Sequence, residues 1–145
     1  MPVLSLIDRL LRRRPRGNRP RLKVDQSLGA FPRAGGDISP LFVIFRTENR
    51  GPEEVEVTGL SIELDGGRYL ELTDVLGGER ELPCGLQPGE AVAFWTGARG
   101  LAETLAEESY GGRPRLRLLV ADGLGGVHPK SFRFRVDEYL ELEDA

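Results

Sequence analysis

Residues 41–51 read LFVIFRTENRG, and this stretch decides the fold class. Residues 41–47 form a nearly continuous apolar run, as expected for a strand that is buried on both faces. The following residues, Glu48-Asn49-Arg50-Gly51, have the composition of a turn. This segment therefore predicts a buried strand that ends in a tight turn.

The same alternation of strand and turn continues along the chain. Residues 54–64 alternate in polarity, and the apolar positions change phase at Thr58-Gly59, which predicts a β-bulge or a bend. Asp65-Gly66-Gly67 predicts a hairpin turn into the next strand. Further strands are predicted at residues 21–27, 69–72, 91–96, 115–121 and 131–136.

These patterns predict a mainly β fold, an antiparallel β-sandwich of about seven strands. Nineteen glycines and ten prolines supply the many turns that such a fold needs. Residues 101–109 are the one segment of this region with helical character, because Leu101 and Leu105 lie on one helix face. We predict that this helix is a short crossover between two sheets.

Three turn motifs carry a resemblance to a known family. A strand ends in Asn49-Arg50-Gly51, Leu86-Gln87-Pro88-Gly89-Glu90 precedes a later strand, and Asp122-Gly123 opens a closing hairpin. Residues 21–137 thereby resemble the immunoglobulin-like accessory domains of bacteria, of the fibronectin- and CARDB-like kind. The resemblance implies an immunoglobulin-like sandwich and a non-catalytic role as a spacer, binding module or assembly part.

Charge divides the chain into two parts. Residues 1–23 carry eight basic residues and one acidic residue, a net charge of +7. Residues 24–145 carry twelve basic and twenty-two acidic residues, a net charge of −10. We call residues 1–20 the arm, residues 21–137 the body and residues 138–145 the tail. The tail is acidic and is predicted to be solvated; the alternative is that it receives the cationic arm.

The arm has the pattern of an amphipathic helix over residues 3–14, and Pro15 ends it. Twelve residues form only a marginal helix in water, so the apolar face must contact another surface. Pro15, Gly17 and Pro20 then give a semi-extended linker. The predicted partner-binding residues are Leu4, Ile7, Leu10 and Leu11 for burial, with Arg9, Arg12, Arg13, Arg14 and Arg16 for charge.

Three kinds of surface could receive the arm. A protein surface, on this chain or on another, is the favoured one. An anionic membrane is the second, since basic residues beside an amphipathic helix bind anionic lipid. Nucleic acid is the least favoured, because no aromatic residue lies among the arginines and the body is acidic.

The sequence offers few residues for catalysis or metal binding. Cys84 and His128 are the single cysteine and the single histidine, so no internal disulfide can form and a four-ligand zinc site is not expected. We expect no cofactor, no metal, no catalytic site and no small-molecule substrate. No apolar run reaches the roughly 20 residues of a membrane span, and the N-terminus lacks the order of a secretory signal, so we expect a cytoplasmic protein.

These observations predict a non-catalytic protein-interaction or assembly module that docks through the arm. One specific version is a structural component of a larger particle, such as a phage virion or a secretion assembly. The alternative is a peripheral membrane protein that the arm holds on anionic lipid.

Overall fold

The structure is a computed structural model that describes residues 20–30 and 41–142. The chain is mainly β, with two antiparallel sheets and few helices, which confirms the predicted fold class at that level. The described residues form nine strands: β1 (Leu22–Gly29), β2 (Phe42–Asn49), β3 (Val55–Glu63), β4 (Tyr69–Glu71), β5 (Gly77–Gly78), β6 (Cys84–Leu86), β7 (Ala91–Gly97), β8 (Arg115–Asp122) and β9 (Val127–Arg133). They also form two α-helices, α1 (Ala98–Glu107) and α2 (Val136–Leu140), and two short 3-10 turns, Asp65–Gly67 and Thr73–Val75.

The strands are arranged in two sheets. The first sheet has the order β1-β2-β7-β5, and the second has the order β4-β3-β8-β9, with β6 paired to the start of β3. The sequence predicted about seven strands. The two additional ones, β5 and β6, are two and three residues long. Such short segments carry too few positions for an alternating pattern to be visible.

Both sheets contribute to one hydrophobic core. Phe45 and Phe94 of the first sheet and Leu60, Ile62 and Leu118 of the second are all at most 1% exposed. Direct contact between the sheets is made by Phe45 and Phe132, whose ring centroids lie 5.8 Å apart with an interplanar angle of 66°. Edge-to-face packing of this kind adds about 0.5–1.5 kcal/mol to the gain from burial.

Helix α1 connects the two sheets, as predicted. It follows β7 directly and leads to β8, so the chain passes from the first sheet to the second through it. Leu101, Ala102 and Leu105 are buried on one face, at the spacing expected for an amphipathic helix. The helix begins at Ala98, three residues before the predicted start.

Two predicted turns are present in the second sheet. The register of β3 against β8 shifts between Val57 and Gly59, which confirms the predicted bulge. The 3-10 turn Asp65–Gly67 joins β3 to β4, which pair in antiparallel register. Gly66 and Gly67 there have φ values of 76° and 74°, a backbone conformation that favours glycine.

Two predictions of burial were wrong. Residues 41–47 were expected to be buried on both faces, but Phe42 and Ile44 are only half-buried, and burial alternates along β2. The tail was expected to be solvated, but residues 136–140 form α2, and Tyr139 is buried against Phe134 with ring centroids 4.9 Å apart. Aromatic burial therefore holds this end of the chain on the core as far as residue 142; residues 143–145 lie outside the described residues.

Candidate functional site

The predicted docking residues all belong to the arm, outside the residues that the structure describes. They are Leu4, Ile7, Leu10, Leu11, Arg9, Arg12, Arg13, Arg14 and Arg16. The predicted helix over residues 3–14 lies outside the described residues as well. The described residues do show how the arm is attached to the body.

The arm joins the body at the start of β1. The backbone N–H of Arg50 donates a hydrogen bond to the carbonyl oxygen of Arg21 at 2.8 Å. From Leu22, which lies opposite Asn49, β1 stays in antiparallel register with β2 as far as Gly29. We call this end of the body the arm junction, and it is fixed by an eight-residue strand pairing.

Asn49 holds the arm junction together from inside. Its side chain is fully buried, and Nδ2 donates to the carbonyl oxygens of Glu53 at 2.8 Å and Leu86 at 2.9 Å. Its Oδ1 accepts from the backbone N–H of Gly51 at 2.9 Å. Only an amide supplies two donors and an acceptor in this geometry. The Asn-x-Gly turn of the sequence is therefore a hydrogen-bonded centre that joins the β2–β3 loop to β6.

The charges beside the arm junction are paired. Arg46 Nη1 lies 3.2 Å from one carboxylate oxygen of Glu48, and Arg50 Nε lies 3.4 Å from the other. The hydrogen bond from Arg46 lowers the pKa of Glu48, and the charge of Arg50 lowers it further. Both pairs are exposed, so each adds little to stability.

A groove lined by arginines lies at the opposite end of β1. It has a volume of about 680 Å³, and we call it the arginine groove. Its lining includes Gln26 and Leu28 of β1, together with Arg113, Arg133, Arg135 and Tyr139. Strand β1 of the first sheet and the C-terminal end of β9 in the second sheet therefore lie on either side of a basic surface, although the body as a whole is acidic.

The cations of the arginine groove are only partly neutralised. Arg135 Nη1 lies 3.2 Å from Glu138, whereas Arg133 donates to the backbone carbonyl oxygen of Arg113 at 3.2 Å. Among the described residues, no carboxylate lies within ion-pair distance of Arg113 or Arg133. Burial raises the pKa of the Tyr139 phenol, so Tyr139 stays neutral and can donate a hydrogen bond.

The sequence pattern did not predict the arginine groove. Arg133 and Arg135 were visible as the outward-facing positions of the last predicted strand. Their proximity to Arg113 depends on the β8–β9 pairing, and the position of β1 beside them depends on how the sheets pack. The alternating arginines at 133 and 135 were thus the one sign of this basic surface in the sequence. The sequence did not show which other residues complete the groove.

Asp122 and His128 form a pair in the β8–β9 hairpin. Asp122 Oδ2 lies 2.7 Å from His128 Nε2, and Oδ1 accepts from the backbone N–H groups of Leu124 at 2.8 Å and Gly126 at 3.0 Å. The Asp122 carboxylate is thus used to hold the hairpin turn. This agrees with the turn-forming role that its Gly-rich context predicted.

Cys84 and His128 are not brought together. Cys84 is in β6 and His128 is in β9, and β3 and β8 lie between these strands. At about 4.8 Å per strand, their backbones are about 14 Å apart. Burial also raises the pKa of the Cys84 thiol, which disfavours the reactive thiolate. Among the residues that the structure describes, no three His, Cys, Asp or Glu side chains come together to hold a metal ion.

No protein-family model matches the chain, and a search of curated proteins gives no match. Within residues 20–30 and 41–142, no helix has the length and apolar character needed to cross a membrane.

Proposed function

We propose that this protein is a non-catalytic interaction or assembly module, with an immunoglobulin-like β-sandwich as its body and the arm as its docking element. The two antiparallel sheets that share one core support the sandwich. The specific version is a structural component of a larger particle that assembles in the cytoplasm.

The observation that carries the proposal is the construction of the arm junction. The arm is continuous with β1, and β1 is held along its whole length by β2. Asn49 fixes the loops around this attachment through three side-chain hydrogen bonds. A partner that binds the arm is therefore tied to a rigid body through a short linker.

The apolar face of the arm is expected to supply more binding free energy than its charges. Full burial of one Leu or Ile side chain contributes about 1.5–3 kcal/mol. An exposed ion pair contributes about 0–1 kcal/mol and is weakened by salt. Substitutions of the two faces should therefore have different effects at physiological ionic strength.

The test uses three variants of the full chain. Ile7→Ser with Leu10→Ser removes apolar contacts, and Arg12→Gln with Arg13→Gln removes two charges of the arm. Arg46→Gln with Arg68→Gln removes two charges from the body and is the matched control. Each protein is studied by size-exclusion chromatography with light scattering, by sedimentation with phosphatidylserine vesicles and by thermal unfolding.

Self-association that is lost in the Ile7/Leu10 variant and kept in the control supports the proposal. Sedimentation of the wild type with vesicles, lost in both arm variants, favours the membrane alternative instead. If the arm variants lower only the melting temperature, the arm packs on its own body, and the proposal is wrong.

A further inference from the structure

Within residues 20–30 and 41–142, strand β1 has an open edge. Arg50 N–H bonds to the carbonyl oxygen of Arg21, so residues 21, 23, 25, 27 and 29 exchange hydrogen bonds with β2 in this register. The alternate residues Leu22, Val24, Gln26 and Leu28 direct their N–H and C=O groups away from β2. In the part of the chain that the structure describes, β1 pairs with β2 alone. These four outward positions have no strand partner among the described residues; Leu28 is exposed, Leu22 and Gln26 are half-buried, and Val24 is buried where β1 packs beside β9.

The edge of the second sheet differs from that of β1. The N–H of Phe134 bonds to the carbonyl oxygen of Pro114 at 3.1 Å, which places residues 127, 129, 131 and 133 on the outward side of β9. Pro129 lies in this outward row and has no N–H group. The outward row of donors is therefore interrupted in β9 and continuous in β1.

The positive charge of the arginines beside the open edge of β1 favours an anionic partner. Gln26 and Leu28, two of the outward residues of β1, also line the arginine groove. Arg113 and Arg133 lie across the groove with no carboxylate partner among the described residues, while the chain as a whole has a net charge of −3. An ionised carboxylate beside these guanidinium groups would form charge-assisted hydrogen bonds.

We propose that β1 takes up an extended acidic peptide of another protein as an added strand, with its carboxylates bound by Arg113 and Arg133. Backbone hydrogen bonds along β1 would give affinity, and the arginine groove would give selectivity for acidic side chains. The cationic arm is excluded as the occupant by its charge. A nucleic acid lacks the alternating N–H and C=O groups that the edge of β1 would pair with. This inference is independent of the function proposed for the arm.

The probe is a fluorescein-labelled peptide, acetyl-Thr-Glu-Val-Glu-Val-Glu-Thr-amide, whose binding to the full chain is followed by fluorescence anisotropy. One control peptide carries Lys in place of Glu, which reverses the charge. A second carries Pro in place of both Val residues, which removes backbone donors while the charge is kept. A single-stranded oligonucleotide serves as a competitor.

Two protein variants separate the groove from the arm at equal loss of charge. Arg113→Gln with Arg133→Gln changes the arginine groove, and Arg12→Gln with Arg13→Gln changes the arm. The groove variant should weaken binding of the Glu peptide by about tenfold or more, since two charge-assisted contacts are lost. The arm variant should weaken it by less than about threefold, which is expected for charges that are screened and distant.

Hydrogen exchange on the wild-type protein gives a second readout that needs no variant. Addition of the Glu peptide should slow exchange at the amides of Val24, Gln26 and Leu28, which would then be hydrogen-bonded. The Lys and Pro peptides should bind weakly and leave these amides unchanged.

Four results would overturn the proposal. They are no binding of the Glu peptide, an equal loss of affinity in the two variants, equal binding of the Pro peptide, and displacement of the Glu peptide by the oligonucleotide. If the groove variant unfolds, the hydrogen-exchange measurement and the control peptides decide the question on the wild-type chain.

Discussion

Substitution of Asn49 by alanine should destabilise the body strongly, because no other group nearby can replace its amide. The side chain satisfies the carbonyl oxygens of Glu53 and Leu86 and the N–H of Gly51. Glu53 is exposed, so water can replace its lost partner. Gly51 is buried, so its N–H would stay without a partner. The carbonyl oxygen of Leu86 is also buried; it would lose one hydrogen bond and keep its pairing with Val55 of β3.

The size of the effect follows from the unpaired N–H of Gly51 and the one hydrogen bond lost at Leu86. A buried polar group that loses its partner costs about 1–3 kcal/mol, and loss of the hydrogen bond at Leu86 adds about 0.5–1.5 kcal/mol, so Asn49→Ala should lower the free energy of unfolding by about 1.5–4.5 kcal/mol. Domains of this size are stable by about 5–15 kcal/mol. At a slope of about 2 kcal/mol per molar urea, even the lower figure moves the unfolding midpoint down by about 0.7 M.

Thr47→Val is the matched control on the same strand. Thr47 is also fully buried, but its hydroxyl oxygen has no hydrogen-bond partner among the described residues. Valine has nearly the same shape and removes this unpaired polar group. The free energy of unfolding should therefore stay unchanged or rise by about 1 kcal/mol.

The assay is urea unfolding followed by Trp95 fluorescence and by circular dichroism. Coincident transitions from the two probes would show that two-state analysis applies. A change of less than about 0.5 kcal/mol for Asn49→Ala would refute the role assigned to this side chain. A loss of more than about 1 kcal/mol for Thr47→Val would show that its hydroxyl has a partner.

Two further substitutions or conditions test the core. Gly78→Ala should destabilise the protein by about 1–3 kcal/mol in the same assay, because the added Cβ would lie 2.6 Å from the ring of the buried Phe94. An unchanged unfolding midpoint would contradict this close approach. Burial raises the pKa of Cys84, so the native thiol should react with a disulfide reagent far more slowly than the urea-unfolded thiol. Above about pH 8.5 the unfolded thiol loses its proton while the native one keeps it, so stability should fall as pH rises, and Cys84→Ala should show a smaller fall.

Local patterns predicted the positions of most strands along the chain. The phase change at Gly59 and the turn at Asp65–Gly67 could be predicted from short segments. The two-residue period of a strand and the conformation of a glycine turn are local properties that do not depend on distant residues. Strands β5 and β6 depend on pairing with β7 and β3, and their residues have little strand preference of their own. They could not be found without the partner strands.

Burial was harder to predict than the positions of the strands. Phe42 and Ile44 are as apolar as Val43 and Phe45, but the sequence does not say how completely the outer face of a sheet is covered. In the tail, Tyr139 lies among four acidic residues, and its burial depends on Phe134 being within reach. The composition of the tail predicted its negative charge. Its position on the core is determined by the packing of Tyr139 against Phe134.

Of the two candidate sites, the arm could be predicted from the sequence and the arginine groove could not. The amphipathic arm is a pattern within 12 residues and is visible in the sequence alone. The arginine groove combines residues from β1, from the segment before β8 and from the end of β9. Only the packing of two sheets places these segments together.

The unequal edges of the two sheets limit how copies of this body could polymerise. Fibrils grow when every added subunit leaves a new strand edge for the next one. If two copies paired through β1, the remaining edge of the first sheet would be β5, which is two residues long. The edges of the second sheet would be β4, which is three residues long, and β9, which Pro129 interrupts. An association through β1 would close as a symmetric pair, so pairing through this edge should give dimers rather than filaments.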